Sequence, residues 1–208
     1  MENLILLTTI AAVNLAGVVS PGPDFVITVR NSLKYSRKTG IYTAIGFGLG
    51  IAIHIAYCIA GLAFIISKSI IVFSIIKYLG AAYLIYIGLK SIFSKSAKIR
   101  IGEIEKEKEI SRLKAIQIGF LTNVLNPKAT LFYLGLFTFI IKPDTPALIL
   151  AAASLVMIAT IIGWFSLVAI FFTHNRIRRT YEKFQKSINR TLGGFLLLLG
   201  INIALAKN

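Results

Sequence analysis

Along this chain, apolar runs alternate with clusters of lysine and arginine. Residues 3–23, 39–67, 78–89, 115–127, 129–141, 145–175 and 191–206 contain no Asp, Glu, Lys or Arg. Joined across Lys77 and Lys128, these runs form six segments, about 3–22, 40–66, 70–92, 115–141, 146–172 and 188–206. Each is long enough to cross a hydrocarbon core of about 30 Å as a helix. A helix is also the open-chain structure that satisfies its own backbone in lipid. The pattern predicts an all-α integral membrane protein with six transmembrane helices.

Composition and charge then fix a direction. Of the residues, 56% are hydrophobic and the mean hydropathy is +0.79, far more apolar surface than a soluble core of 208 residues could hide. The chain nevertheless carries 23 Lys+Arg against 8 Asp+Glu, a net charge of +15. Eighteen of the basic residues follow segments one, three and five. By the positive-inside rule those three loops are cytoplasmic and both termini lie outside. The charge is thus a statement of orientation; the expected partner is a lipid bilayer, with no nucleic acid. Met1-Glu2-Asn3 lacks the basic start of a cleaved leader, so segment one reads as a retained span. The lone Cys58 allows neither an internal disulfide nor a thiolate metal site.

Glu103, Glu105, Glu107 and Glu109, interleaved with Lys106 and Lys108, read as a solvated linker. It covers about residues 94–114 and joins repeat one, about 1–93, to repeat two, about 115–208, within a single transmembrane transporter domain 1–208. Ser20-Pro21 has a counterpart in Asn126-Pro127, and Ala81-Ala82-Tyr83 with Gly88 in Gly193-Gly194-Phe195 with Gly200. Three spans per half is an odd number, so the halves must be inverted relative to one another, as in many secondary transporters.

Two interruptions of the apolar pattern carry the candidate chemistry. Pro21-Gly22-Pro23-Asp24 stops a helix inside span one and lets a short one restart over residues 24–31. Such a break is tolerated only inside protein or along a water-filled cavity, and it aims a positive helix end at a substrate carboxylate. Asp24 then serves as a proton carrier or a partner for a substrate ammonium; the plainer reading is a first-turn acid at the membrane surface. Asn123, Asn126, Pro127 and Lys128 form the second break, in span four, with Lys128 able to pair with Asp24 or with a carboxylate substrate. Its plainer reading is a kink whose lysine snorkels.

Gly46 and Gly50 lie one turn apart on span two and read as a helix-packing face. His54, a turn further, is either a proton relay or a hydrogen-bonded packing residue. Lys77 is expected to snorkel outward, and Tyr78, Tyr83, Tyr86 and Trp164 line a pathway or, more economically, pack and mark the interface. No hydrolase, zinc-protease or Walker motif is present, so no enzyme activity is expected. Any uphill transport must draw on an ion gradient.

Ser20-Pro21-Gly22-Pro23-Asp24-Phe25, the Gly46/Gly50/His54 series, Leu79-Gly80-Ala81-Ala82-Tyr83-Leu84, and Gly119-Phe120-Leu121-Thr122-Asn123 leading into Asn126-Pro127-Lys128 together resemble the LysE family of lysine and homoserine/threonine exporters. The resemblance implies export of amino acids or their derivatives across the bacterial inner membrane by proton antiport, without a cofactor. By it, Pro21 to Asp24 match the first family motif and Asn126 to Lys128 the second. Two rivals remain. One is a cation exporter of the same superfamily, although the chain lacks a cluster of intramembrane acids or thiols for a metal. The other is a membrane interaction protein whose breaks are packing kinks. Glycine-rich helix faces leave a homodimer open.

Overall fold

The computed structural model describes residues 2–68, 70–93, 107–140 and 145–205. Every regular element among them is an α-helix: α1 (Glu2–Val19), α2 (Pro23–Lys34), α3 (Arg37–Lys68), α4 (Ile70–Ile92), α5 (Arg112–Val124), α6 (Pro127–Ile140), α7 (Ala147–Phe171) and α8 (Asn175–Leu205). Helices α3, α4, α7 and the 183–205 part of α8 are each long and apolar enough to cross a membrane. So are α1 and α2 taken together, as one span bent by 63°. The chain is a multi-pass membrane protein. Apolar side chains such as Ile71, Leu148, Leu155 and Leu198 face outward, where lipid replaces water as their solvent.

The segment predicted as span four divides at its break into two helices, α5 and α6, each only about 20 Å long and so too short to cross alone. Two expectations change. The last helix begins at Asn175 and not near 188, because the basic segment before the apolar run contains no Gly or Pro to stop a helix. Its four-residue spacing also turns Tyr181, Gln185 and Asn189 inward. Lys77 is buried, not snorkelling outward. It shares the inner stripe of α4 with Gly80, Ala81 and Leu84. Glu103, Glu105 and Lys106 of the linker lie outside the described residues.

The most extensive helix pairings are α4 with α8 and α3 with α5, and both are made by glycine. A methyl group on Gly46 would overlap the carbonyl oxygen of Ile116, and one on Gly119 that of Thr43. A methyl on Gly88 would lie 2.8 Å from the Gly193 carbonyl oxygen. Without a hydrophobic drive between helices in lipid, such backbone-to-backbone approach supplies the dispersion contact that holds the bundle. At the centre, Phe47 and Phe165 meet edge to face at 5.0 Å, among Ile51, Met157 and Ile161.

Glu107 and Glu109 are less free than a solvated linker suggests. The backbone N–H of Glu107 donates to the Lys34 carbonyl (2.9 Å) and its carboxylate pairs with the Lys34 ammonium (2.6 Å). Glu109 accepts from the hydroxyls of Ser36 and Thr39, at the N-terminus of α3, where the helix dipole favours an anion. These hydrogen bonds hold the Glu109 carboxyl below the usual carboxylate range. A folded-state value below the unfolded one means the tether is intact above the ordinary carboxylate range and is lost as pH falls through the depressed value. The protection factors of the residue 36–39 amides, exchange taken relative to the intrinsic rate at each pH, are therefore expected to fall on acidification. Glu109→Gln is expected to show the acid-level protection already at neutral pH.

Candidate functional site

The first break follows from its residues. Helix α1 ends at Val19 because Pro21 and Pro23 cannot donate to the preceding turn. Gly22 is the N-cap of α2, with extended backbone (φ −163°), and Pro23 is its first residue. Proline is favoured there, since its missing N–H would have no intrahelical partner. Asp24 comes next, in the turn where the dipole favours an acid.

The second break repeats this grammar. Asn126 caps α6, its side-chain oxygen accepting from the backbone N–H of Lys128 at 3.0 Å, and Pro127 is the first helical residue. Asp24 and Lys128 therefore occupy the same helical position after each restart. By helix geometry Pro23 corresponds to Pro127, which shifts the register from the Pro21–Pro127 match seen in the sequence.

The two breaks lie against each other. The Asp24 carboxylate accepts from Asn123 Nδ2 at 2.8 Å and Asn126 Nδ2 at 3.2 Å. Lys128 does not pair with Asp24. Its ammonium donates to the carbonyls of Ser20 (2.6 Å) and Gly17 (3.2 Å), the last turn of α1. There it satisfies carbonyls that the broken helix leaves without an N–H and meets the negative dipole end. A methyl on Gly22 would come within 3.4 Å of that ammonium, so glycine keeps the lysine's path open.

His54 joins the same cluster from α3. Its Nε2 lies 3.1 Å from the Asn123 carbonyl, which can only accept, so Nε2 carries the hydrogen; Nδ1 faces the Tyr57 hydroxyl at 2.6 Å. Gly50 makes room for Asn123, whose Oδ1 is buried without a hydrogen-bond partner. Asp24, Asn123, Asn126 and Lys128 line a cavity of about 40 Å³, with Phe25, Phe132 and Tyr133 among its walls. It has room for water but not for an amino acid. Chemically it offers a carboxylate, an unfilled amide oxygen and a nearby cation.

All of Gly22, Asp24, Asn123, Asn126 and Lys128 thus gather in one place; Pro21, Pro23 and Pro127 shape it, and His54 abuts it through Asn123. Gly46 lies on the α3–α5 contact, as its spacing suggested. Sequence reading missed Asn14 and Tyr133. The Tyr133 hydroxyl donates to Asn14 Oδ1 at 2.8 Å, and Asn14 Nδ2 to the Met157 carbonyl at 3.3 Å, tying α1 to α6 and α7. An amide in the middle of an apolar run was the available signal.

The LysE type translocator family matches residues 15–207. The chain belongs to the LysE family. Within it, the chain is 32% identical over 217 residues to the uncharacterized membrane protein YrhP of Bacillus subtilis, covering 99% of this chain and all of that one. It is 25% identical to the threonine efflux protein of Escherichia coli K12, over 98% of this chain and the whole of the relative. With the homoserine/homoserine lactone efflux protein of Salmonella typhimurium it shares 26% identity over 91% of each chain. No solved structure matches.

Proposed function

We propose that this LysE family protein exports amino acids or their derivatives from the cytoplasm across the bacterial inner membrane, in exchange for protons. The observation that carries the reading is the contact between the two breaks, with Asp24 held by Asn123 and Asn126 beside a small cavity. Helix packing alone has no need for a buried carboxylate there, which costs desolvation energy that its two amide hydrogen bonds only partly offset. The names of two relatives, both efflux proteins, point the same way.

In this reading α1/α2 and α5/α6 are the two broken spans of a six-span, inverted three-plus-three arrangement with both termini outside. The matching register of Pro23 and Pro127 supports the repeat, and the basic residues after α2, after α4 and in the first half of α8 support the orientation. Asp24, with the free oxygen of Asn123, receives the substrate's ammonium group. Proton binding to Asp24 from the outside then releases that ammonium; the proton leaves to the cytoplasm when the site next opens inward, and the amides of Asn123 and Asn126 stabilise the carboxylate so formed. The cavity is too small for an amino acid, so the spans on either side of the breaks must separate for one to pass.

Efflux from cells loaded with a panel of amino acids tests the reading, with a protonophore as the test of coupling. Export of at least one amino acid is expected, and it should stop when the pH gradient collapses. In a Cys58→Ala background, cysteine at Ser20 or Asn126 is expected to react with a polar thiol reagent from one side of the membrane. Complete protection of both from both sides would leave the breaks as packing kinks.

A further inference from the structure

A second and larger cavity, about 510 Å³, lies between α4 and α8 and shares Ser20, Gly22, Asn126 and Lys128 as a common wall with the small one. It sits where α4 has its last turn and α8 its basic first half, and its size suits a small organic ligand. Its charged lining is Lys90 and Lys128, and no carboxylate lines it among the described residues. The Lys90 ammonium lies 5.6 Å from the Tyr86 ring centroid, on the same cleft wall. From α8, Gln185 reaches the same cleft; it is 2% exposed, and its Oε1 has no hydrogen-bond partner. A buried acceptor left unfilled and two like charges facing one space are both unfavourable alone. An anion that also carries a hydrogen-bond donor relieves both at once.

We propose that the α4–α8 cleft is the site where an amino acid loads from the cytoplasm, its carboxylate held by Lys90 and a donor on the substrate read by Gln185. The ligand's identity rests on the export reading above; the cleft's preference for a carboxylate rests on its own lining. Lys128 forms the wall between the cleft and the Asp24 cavity. A carboxylate in the cleft competes with the carbonyls of Gly17 and Ser20 for its ammonium. Loading thereby loosens the contact that closes the break, and the substrate's ammonium gains access to Asp24.

The test uses the full-length protein in inverted membrane vesicles, with Cys58→Ala and with Ser91→Cys as a reporter on the cleft wall. An anionic methanethiosulfonate labels the reporter, and each standard amino acid is tried as protectant. At least one is expected to slow labelling, and its carboxamide analogue is expected not to. Lys90→Gln should raise the protecting concentration about tenfold, the loss of one charge-assisted contact. Lys90→Arg should restore it, which separates loss of the charge from misfolding. Gln185→Leu is expected to weaken protection while keeping the preference for acid over amide. The inference is overturned if no amino acid protects, if the amide protects equally, or if Lys90→Gln protects at the unchanged concentration. Efflux from loaded cells is read separately. Efflux without protection removes the cleft and leaves export standing; protection without efflux removes export and leaves a binding cleft.

Discussion

Asp24→Ala is expected to reduce amino-acid efflux to the level of cells lacking the protein, while the variant reaches the membrane in normal amount. The carboxylate is the acceptor for two buried amides, from Asn123 and Asn126. Each donor left unpaired in a dry interior costs about 1–3 kcal/mol. Both amides border a cavity with room for water, however, which can take the place of the lost oxygens. Water supplies no negative charge, so nothing remains to bind an ammonium group or a proton. Efflux rate beside membrane-fraction abundance is the measurement. Efflux near the wild-type rate from a normally inserted variant would remove Asp24 from the mechanism.

The second large effect is structural. Gly46→Ala places a methyl group into the Ile116 carbonyl, and Gly119→Ala places one into that of Thr43. Neither obstacle is the flexible end of a side chain, so α3 and α5 must move apart. Overpacking of this kind costs about 1–3 kcal/mol, and in lipid it also forfeits the contact that associates the helices. The damage extends to the site, because α3 carries Gly50 and His54 against Asn123 on α5. Each variant is expected to unfold several degrees lower in detergent, by about the amount that 1 kcal/mol or more takes from a chain of this size, and to export more slowly. Gly194→Ala is the control, since a methyl there meets nothing within 4 Å; equal loss from the control would detach the effect from the α3–α5 contact.

Much of this was legible in the order of residues. The third and fifth predicted segments coincide with α4 and α7 almost to the residue, because in lipid the length of an apolar segment and the length of a helix answer to the same thickness. The break residues were legible too, since proline and glycine act locally. Contacts that depend on two distant segments were not. Lys128 was expected to meet either Asp24 or substrate, and the sequence holds no hint that the carbonyls at the end of α1 are nearer. Gln185 and Asn189 sat in a segment whose charge already had an explanation, and their four-residue spacing mattered only once α8 was seen to extend back to Asn175. Lys77 misled for the opposite reason: a lysine in an apolar run has a standard escape, yet this one lies on the buried stripe of α4.

The asparagines that hold Asp24 come from beyond residue 112, and so does the lysine that completes α1. Each broken helix is finished by the opposite half of the chain, which sets an order on biosynthesis. While the second half is still on the ribosome, the first half stands in the membrane with an acid lacking its amides and a helix end lacking its cation. That state lasts until α5 and α6 arrive. A half-made chain therefore carries an acid and a helix end whose partners do not yet exist, and only completed synthesis supplies them.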